Sequence, residues 1–151
     1  MSLKKERSVC LEFKAVGNLI RREVGNYENK TYIDSATGAN GWVIGFIGDN
    51  EGKDVFQRDL EEKFSIRRST ASSILKLMEK KGLISREPVE YDARLKRLKL
   101  TEKANEIHSM ILDNIAAIEK KITCGLTEEE LNSFFETVDK IKSNMEYKSD
   151  T

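Results

Sequence analysis

The chain is poor in the residues that usually interrupt helices or build covalent and metal sites. Its 151 residues include one proline, one histidine and two cysteines. A single proline leaves long helices uninterrupted. Cys10 and Cys124 lie far apart and match neither a metal-ligand spacing nor a disulfide framework. His108 is not part of any nucleophile–base motif, and no phosphate-binding loop is present. We therefore expect a non-enzymatic protein without metal or cofactor.

Long apolar runs are also absent. No segment approaches the roughly 20 apolar residues that a bilayer-spanning helix needs. The first residues lack the apolar core of a secretory signal peptide, so we expect a cytoplasmic protein. In a reducing cytosol the default expectation for both cysteines is a buried structural thiol.

The charge is balanced overall but not along the chain. Lys and Arg number 26, as do Asp and Glu. Residues 67–103 carry eleven basic against five acidic side chains, a net of +6, so the remainder of the chain sums to −6. A neutral protein that concentrates positive charge in one short segment is expected to use it on a polyanion.

Apolar spacing predicts the elements. Helical periodicity predicts a first helix over 3–24, and a polar composition predicts a loop over 25–40. A fully apolar short helix, 41–49, should be buried. Helices over 57–64 and 68–81 follow, with Gly82 as the stop of the second. Strands over 83–87 and 97–100 are joined by residues 88–96.

Two long helices complete the pattern. Thr101 is the expected N-cap of the first, which carries isoleucines at steps of three and four from Ile107 to Ile122. Thr127 and Glu130 form a capping box for the second. The order of two short helices, a basic hairpin and a further helix is typical of a helix-turn-helix with a wing. The predicted fold is mainly α with a small β wing.

Several motifs in this order resemble the MarR family of bacterial winged-helix regulators. They are Arg68-Ser-Thr-Ala-Ser72, Leu77-Met-Glu-Lys-Lys-Gly-Leu-Ile-Ser-Arg86, Asp92-Ala-Arg94 and Leu100-Thr-Glu-Lys103. The resemblance covers residues 41–122 most clearly. Departures are Phe56 and Arg67 at helix starts, Ala104 in place of a glycine, and Ser73 where a basic residue is common.

The resemblance implies a homodimeric repressor that binds pseudo-palindromic double-stranded DNA and is released by a small aromatic ligand. It divides the chain into a dimerisation helix and loop (1–40), a winged helix-turn-helix DNA-binding lobe (41–100) and C-terminal dimerisation helices (101–151). The apolar faces of the first and last two helices favour a dimer independently, because they exceed what one small domain buries. The alternative is that these helices pack only on each other within the monomer.

The candidate DNA contacts lie on the second helix of the motif and on the wing. Polar positions away from the apolar face of the helix are suited to bases and phosphates, and basic wing positions to the minor groove and the backbone. The alternative for the helix positions is an ordinary solvated face. The set comprises Arg68, Ser69, Thr70, Ser72, Ser73, Lys76, Arg86, Arg94, Lys96 and Arg97. The resemblance assigns Arg94 to the minor groove and Asp92 to holding the wing and its arginine.

Two hypotheses concern the signal that releases the protein from DNA. Tyr32, Trp42 and Phe46 are candidates for lining a ligand cleft, although plain core packing also explains Trp42 and Phe46. Cys10 is a candidate peroxide sensor, since some family members use a cysteine of the first helix and Lys4, Lys5 and Arg7 lie nearby.

A winged-helix module that binds proteins instead of DNA remains a further alternative. Such a module has no need for four basic residues together in its wing, namely Arg94, Lys96, Arg97 and Lys99.

Overall fold

The computed structural model describes residues 7–146, which form seven helices and one antiparallel hairpin. The predicted fold class is confirmed. The elements are α1 (Val9–Gly25), α2 (Lys30–Thr37), α3 (Gly41–Asp49), α4 (Gln57–Phe64), α5 (Arg68–Lys80), β1 (Ile84–Val89), β2 (Asp92–Leu100), α6 (Glu102–Ile122) and α7 (Glu128–Glu146). No helix in the described range is long and apolar enough to cross a membrane. The chain divides into two compact units between Ala116 and Ala117.

Helix α2 corrects the prediction of a loop over residues 25–40. Its inner side carries Ile33 and Thr37, both buried, and the Thr37 hydroxyl donates to the Ile33 carbonyl at 2.7 Å. Lys30 and Asp34 form an ion pair one turn apart. Gly38 ends the helix in the left-handed conformation, with φ of 61°. Two buried positions in eight residues leave too weak a periodicity to be recognised in the sequence.

The core of the first unit is built around α3, as its apolar composition predicts. Val43 and Ile44 are fully buried. They share one hydrophobic cluster with residues of α5, the wing and α6, including Leu75, Met78, Leu83, Leu98 and Ile107. The cluster holds the two helices of the motif and the base of the hairpin together, so it sets where the polar outer surfaces lie.

The helix-turn-helix forms at the predicted positions. Asp59 accepts a hydrogen bond from the Phe56 amide at 2.8 Å, which satisfies a donor at the start of α4 although Phe56 has no capping side chain. Ser65 takes the left-handed conformation, with φ of 51°, in the tight turn. Gly82, with φ of 71°, terminates α5 while the Leu83 amide donates to the Met78 carbonyl at 3.0 Å.

The wing strands are longer than predicted. β1 and β2 pair from Ile84↔Leu100 to Pro88↔Lys96, and then from Val89 to Asp92 across a register shift. The expected nine-residue connection is therefore a two-residue turn at 90–91 and a bulge at 93–95. The prediction was wrong because polar composition was taken as a loop signal, whereas exposed strands also carry polar side chains.

The caps of the last two helices are as predicted. The Thr101 hydroxyl accepts from the Ala104 amide at 3.4 Å and donates to the Gly82 carbonyl at 2.7 Å. The Thr127 amide donates to Glu130 Oε2 at 2.9 Å, and the Glu130 amide donates to Thr127 Oγ1 at 3.1 Å. The hydroxyl–carboxylate pair therefore satisfies two free donors at the start of α7.

Both cysteines are exposed in the chain, which overturns the expectation of buried structural thiols. Cys10 lies on α1, none of whose residues is buried. Cys124 follows the end of α6 at Ile122, in the turn that Gly125 closes. α1 is one of the helices expected to form the dimer, so residues of its own chain leave it uncovered.

Candidate nucleic-acid-binding surface

Helix α5 has one apolar and one polar side. Ala71, Leu75 and Met78 are buried. Five of the six predicted contact residues of this helix are exposed: Arg68, Ser69, Thr70, Ser73 and Lys76. The buried side fixes the axis of the helix in the core, so the opposite side is presented as a rigid polar surface. Its hydroxyls and cations suit base edges and phosphates.

Ser72, the sixth predicted residue, is only partly exposed and has a structural partner. Its hydroxyl accepts a hydrogen bond from Gln57 Nε2 at 3.0 Å, and the same amide donates to the Arg68 carbonyl at 3.4 Å. Gln57 thus joins the start of α4 to the first turn of α5. Gln57 was not predicted from the sequence, because no local pattern marks a side chain whose partner is on another helix.

On the wing, Asp92 precedes the bulge and Arg94 lies in it, and the two residues form a local unit. Asp92 Oδ1 accepts from the Arg94 amide at 2.9 Å and lies 3.4 Å from Arg94 Nε. The Arg94 side chain is 91% exposed. A carboxylate that binds the amide two residues on stabilises a tight turn of the backbone. The arrangement therefore orders the backbone beneath an arginine that projects into solvent.

Lys96 and Arg86 differ in their surroundings. Lys96 is exposed opposite Pro88 and has no carboxylate partner among residues 7–146. Arg86 is largely covered, and its Nε lies 2.5 Å from Glu79 Oε1 on α5. The Arg86–Glu79 ion pair connects β1 to the last turn of α5, so Glu79 partly neutralises the charge of Arg86.

Arg97 is engaged more fully than any other basic residue of the wing. Its Nε and Nη2 donate to Glu87 Oε2 at 3.2 and 3.1 Å, and its Nη1 donates to Asp54 Oδ1 at 3.4 Å. Hydrogen bonds to Glu87 and then to Asp54 are the main causes that raise the pKa of Arg97 above its ordinary value. Lys99 Nζ lies 3.8 Å from the same Glu87 oxygen.

Within the described residues, the cations of segment 67–103 that lack a carboxylate partner lie mainly on α5 and at the wing. They are Arg67, Arg68, Lys76, Lys80, Lys81, Lys96 and Lys103. Lys81 and Lys103 instead donate to main-chain carbonyls. The uncompensated positive charge is therefore concentrated on the polar helix and beside the projecting Arg94, as a nucleic-acid surface requires.

The aromatic candidates for a ligand cleft separate into two groups. Trp42 and Phe46 are half-buried against the core, and both contact Phe64, with ring centroids 4.5 and 5.6 Å apart. Tyr32 is 51% exposed on α2. In the described part of the chain no ring contact joins Tyr32 to the other two.

Redox or metal chemistry at Cys10 or His108 would depend on the charged groups around these two side chains. Arg7 donates to Glu12 at 2.9 Å, and this hydrogen bond lowers the pKa of the Glu12 carboxyl; Lys4 and Lys5 lie outside the described residues. His108 Nε2 lies 3.2 Å from Asp49 Oδ1. Residues 7–146 contain no group of three His, Cys, Asp or Glu arranged to hold a metal ion.

The chain is similar to known proteins of one family. A family model described as MarR family matches residues 37–95. The chain is similar to the solved structure of the transcription regulator MarR from Oenococcus oeni PSU-1, with 32% identity and a TM-score of 0.75 over 88% of this chain and 96% of that one.

Two DNA complexes share the fold. One is a putative MarR family transcriptional regulator from Listeria monocytogenes complexed with 26mer DNA, with 23% identity and a TM-score of 0.74 over 92% of this chain and 89% of that one. The other is the S. aureus MepR–DNA complex, with 20% identity and a TM-score of 0.72 over 92% and 99% of the two chains.

Proposed function

The chain belongs to the MarR family of transcriptional regulators, and from this premise we propose that it is a homodimeric repressor of a pseudo-palindromic operator. The observation that carries the proposal is the exposed polar side of α5, in the same unit as the projecting Arg94. Arg68 and Lys76 on this side have no carboxylate partner within residues 7–146. A rigid polar helix and a basic hairpin are the two parts that read the major and minor grooves.

In this proposal α5 enters the major groove. Arg68 at its first turn donates to a guanine edge, and Lys76, two turns later, reaches a phosphate. The hydroxyls of Ser69, Thr70 and Ser73 bind bases or phosphates. Ser72 keeps its bond to Gln57 and holds α5 in place.

On the wing, Arg94 enters the minor groove and Lys96 binds the adjacent backbone. A narrow minor groove has a strongly negative potential, which favours an inserted guanidinium. Asp92 orders the backbone that presents Arg94. Arg86 meets a phosphate only through the part of its guanidinium that does not face Glu79.

The dimer proposal is supported by uncovered apolar side chains on two helices. On α1, Val9, Leu11 and Leu19 are 59–66% exposed. On α7, Phe134 and Phe135 are more than half exposed, and their ring centroids are 5.6 Å apart. Large apolar surfaces are seldom left in water, so we assign both helices to an interface with a second copy. Segments 1–40 and 101–151 then form the dimerisation region, and 41–100 the DNA-binding lobe.

Release by a small aromatic ligand completes the proposal. Trp42 and Phe46 present partly exposed rings on α3, and Tyr32 lies on the preceding helix. Aromatic side chains of this kind suit a planar apolar ligand. A ligand that favours another spacing of the two lobes would lower operator affinity.

Selection from random DNA tests the proposed function directly. The purified protein is incubated with a library of duplexes randomised over 30 base pairs, and bound molecules are sequenced. We expect an inverted repeat whose half-site centres lie about 10 base pairs apart. The selected duplex should bind the Arg68→Ala variant more weakly and the Arg21→Ala variant, altered on α1, as tightly as wild type. Failure to enrich any sequence would contradict the proposal.

Light scattering tests the dimer. We expect twice the 17.3 kDa mass of the chain at micromolar concentration. Phe135→Glu should shift the protein to the monomer, because it places a charge in the apolar interface. Asn132→Glu, an exposed position on the same helix, is the matched control. A wild-type monomer would refute the dimer.

A further inference from the structure

The wing is tied at both ends to the segment that precedes α4. Tyr91, in the two-residue turn, donates its phenolic hydrogen to Asp54 Oδ2 at 3.2 Å. At the base, the Leu98 amide donates to the Val55 carbonyl at 2.7 Å. Asp54 and Val55 are adjacent, so one short stretch of chain contacts both the turn and the base of the hairpin.

Arg97 completes the connection from the side of the sheet. It pairs directly with Glu87 across the strands and reaches Asp54 Oδ1 with its remaining nitrogen. Asp54 therefore accepts from Tyr91 with one oxygen and from Arg97 with the other. We call Asp54, Glu87, Tyr91 and Arg97 the wing clasp. The four side chains link the turn, both strands and the segment before α4.

We propose that the wing clasp is a positioning device for DNA binding, in which Arg97 and Tyr91 act through Asp54 to fix the wing instead of contacting DNA. The inference rests on the proposed function. It reassigns Arg97, whose Nε, Nη1 and Nη2 all donate to carboxylates within the chain. A guanidinium held in this way is not free to neutralise a phosphate.

The physical need for such a device follows from the shape of the wing. A two-stranded hairpin is marginally stable by itself, and a bulge at 93–95 weakens the pairing beneath Arg94. Each clasp contact is partly exposed and so contributes little stability. Their combined effect is to restrict the position of the turn and bulge, which lowers the entropy lost when the wing enters a groove.

Removal of Asp54 distinguishes a positioning role from a simple electrostatic effect, because the two predict changes in DNA affinity of opposite sign. Loss of a negative charge beside a polyanion should strengthen binding. If the clasp positions the wing, Asp54→Ala should instead weaken binding to the selected duplex by about tenfold, which corresponds to about 1.4 kcal/mol. Glu90→Ala removes the same charge from the wing turn, where no partner is present among the described residues, and should leave affinity unchanged or slightly higher.

Arg97→Ala and the double variant Asp54→Ala/Arg97→Ala show whether Arg97 positions the wing or contacts a phosphate. The two roles predict different losses of affinity and different salt dependences. A positioning role predicts that Arg97→Ala adds little once Asp54 is absent, and that the slope of log affinity against log salt stays near the wild-type value. A direct phosphate contact predicts an additive loss and a shallower slope. Tyr91→Phe, which removes only the hydroxyl, should show a smaller loss than Asp54→Ala.

Hydrogen exchange of the free protein gives a measurement that needs no DNA. Wing amides of residues 90–95 should exchange faster in Asp54→Ala than in wild type and in Glu90→Ala. Equal exchange, or an Asp54→Ala variant that binds the duplex as tightly as wild type, overturns the clasp. A wild-type protein that selects no DNA overturns the proposed function and the clasp's role with it, whereas selection followed by tight Asp54→Ala binding overturns the clasp alone.

Discussion

Gly48 lies directly beneath the imidazole ring of His108, where α3 and α6 approach each other closely. A Cβ atom built on Gly48 would fall 2.4 Å from His108 Nε2 and 2.5 Å from two ring carbons. Real Cβ atoms do not approach other heavy atoms so closely, so a side chain at residue 48 would have to displace the ring. The absence of a side chain at residue 48 therefore allows the contact between the two helices and the 3.2 Å approach of His108 to Asp49.

We expect Gly48→Ala to lower the free energy of unfolding by about 1–3 kcal/mol, the usual cost of overpacking a core contact. An alanine in a helix is otherwise more favourable than a glycine by about 0.5–1 kcal/mol. The sign of the change in the free energy of unfolding therefore shows whether overpacking or helix propensity prevails. Urea denaturation followed by circular dichroism measures the change.

Gly45→Ala is the matched control on the same helix. Its Cβ would meet Ile111 Cγ2 at 3.6 Å, an ordinary contact, so we expect unchanged or increased stability. The double variant Gly48→Ala/His108→Ala should recover part of the loss. Equal effects at residues 45 and 48 would contradict the close approach.

Arg94→Ala should weaken binding to the selected duplex by about 1–3 kcal/mol, the range for one good specific contact. The protein should remain folded, because the side chain is 91% exposed. Titration by fluorescence anisotropy at fixed salt measures the change. Arg94→Lys keeps the charge but loses the planar guanidinium, so its DNA affinity should lie between those of the wild type and Arg94→Ala. Unchanged affinity in Arg94→Ala would mean that the wing does not enter the groove.

Ionic strength tests the proposed phosphate contacts. Log affinity should fall linearly with log salt concentration as condensed counterions are released. Lys96→Ala removes one proposed phosphate contact per protomer and should make the slope shallower by about 2 for a dimer. Lys14→Ala on α1 should leave it unchanged. A flat salt dependence of the wild type would identify the basic segment as a solvated surface.

The ionisation of Tyr91 tests the wing clasp by pH. Partial desolvation, followed by the hydrogen bond to Asp54, raises the pKa of Tyr91 above its ordinary value. The neutral phenol is therefore the form that stabilises the fold. Its contribution is present below the ordinary tyrosine range and is lost as the pH rises through the raised pKa of the folded protein.

Ultraviolet titration of tyrosinate should show one late-titrating group that disappears in Tyr91→Phe. In Asp54→Ala the same group should titrate at lower pH, because a hydrogen-bond acceptor and a nearby negative charge are both lost. An identical titration curve for wild type and Asp54→Ala would contradict the contact.

The two hypotheses for the switch are separated by one substitution. If an aromatic ligand near Trp42 releases DNA, Cys10→Ser should respond to it as the wild type does. If oxidation of the exposed Cys10 thiol releases DNA, peroxide should dissociate the wild-type complex and leave the Cys10→Ser complex intact. Anisotropy of the labelled duplex, with phenolic compounds and peroxide added separately, measures both. We expect the ligand response and no peroxide response.

The sequence by itself determined the helix-turn-helix, both long C-terminal helices and their caps. These depend on interactions within a few residues, such as the reciprocal bonds of Thr127 and Glu130 or the left-handed turn at Gly82. The polar side of α5 also followed from periodicity alone, because burial of Ala71, Leu75 and Met78 leaves the other positions exposed.

Only the tertiary structure decided which basic residues of the described range are held by carboxylates distant in the sequence. The sequence proposes both Arg94 and Arg97 as DNA contacts, yet the Arg94 side chain projects into solvent while Arg97 bonds to Asp54, 43 residues away. Gln57 likewise meets Ser72 across 15 residues. The pairing of a charged or polar side chain depends on what the fold brings within about 3 Å of it, and no local pattern carries that information.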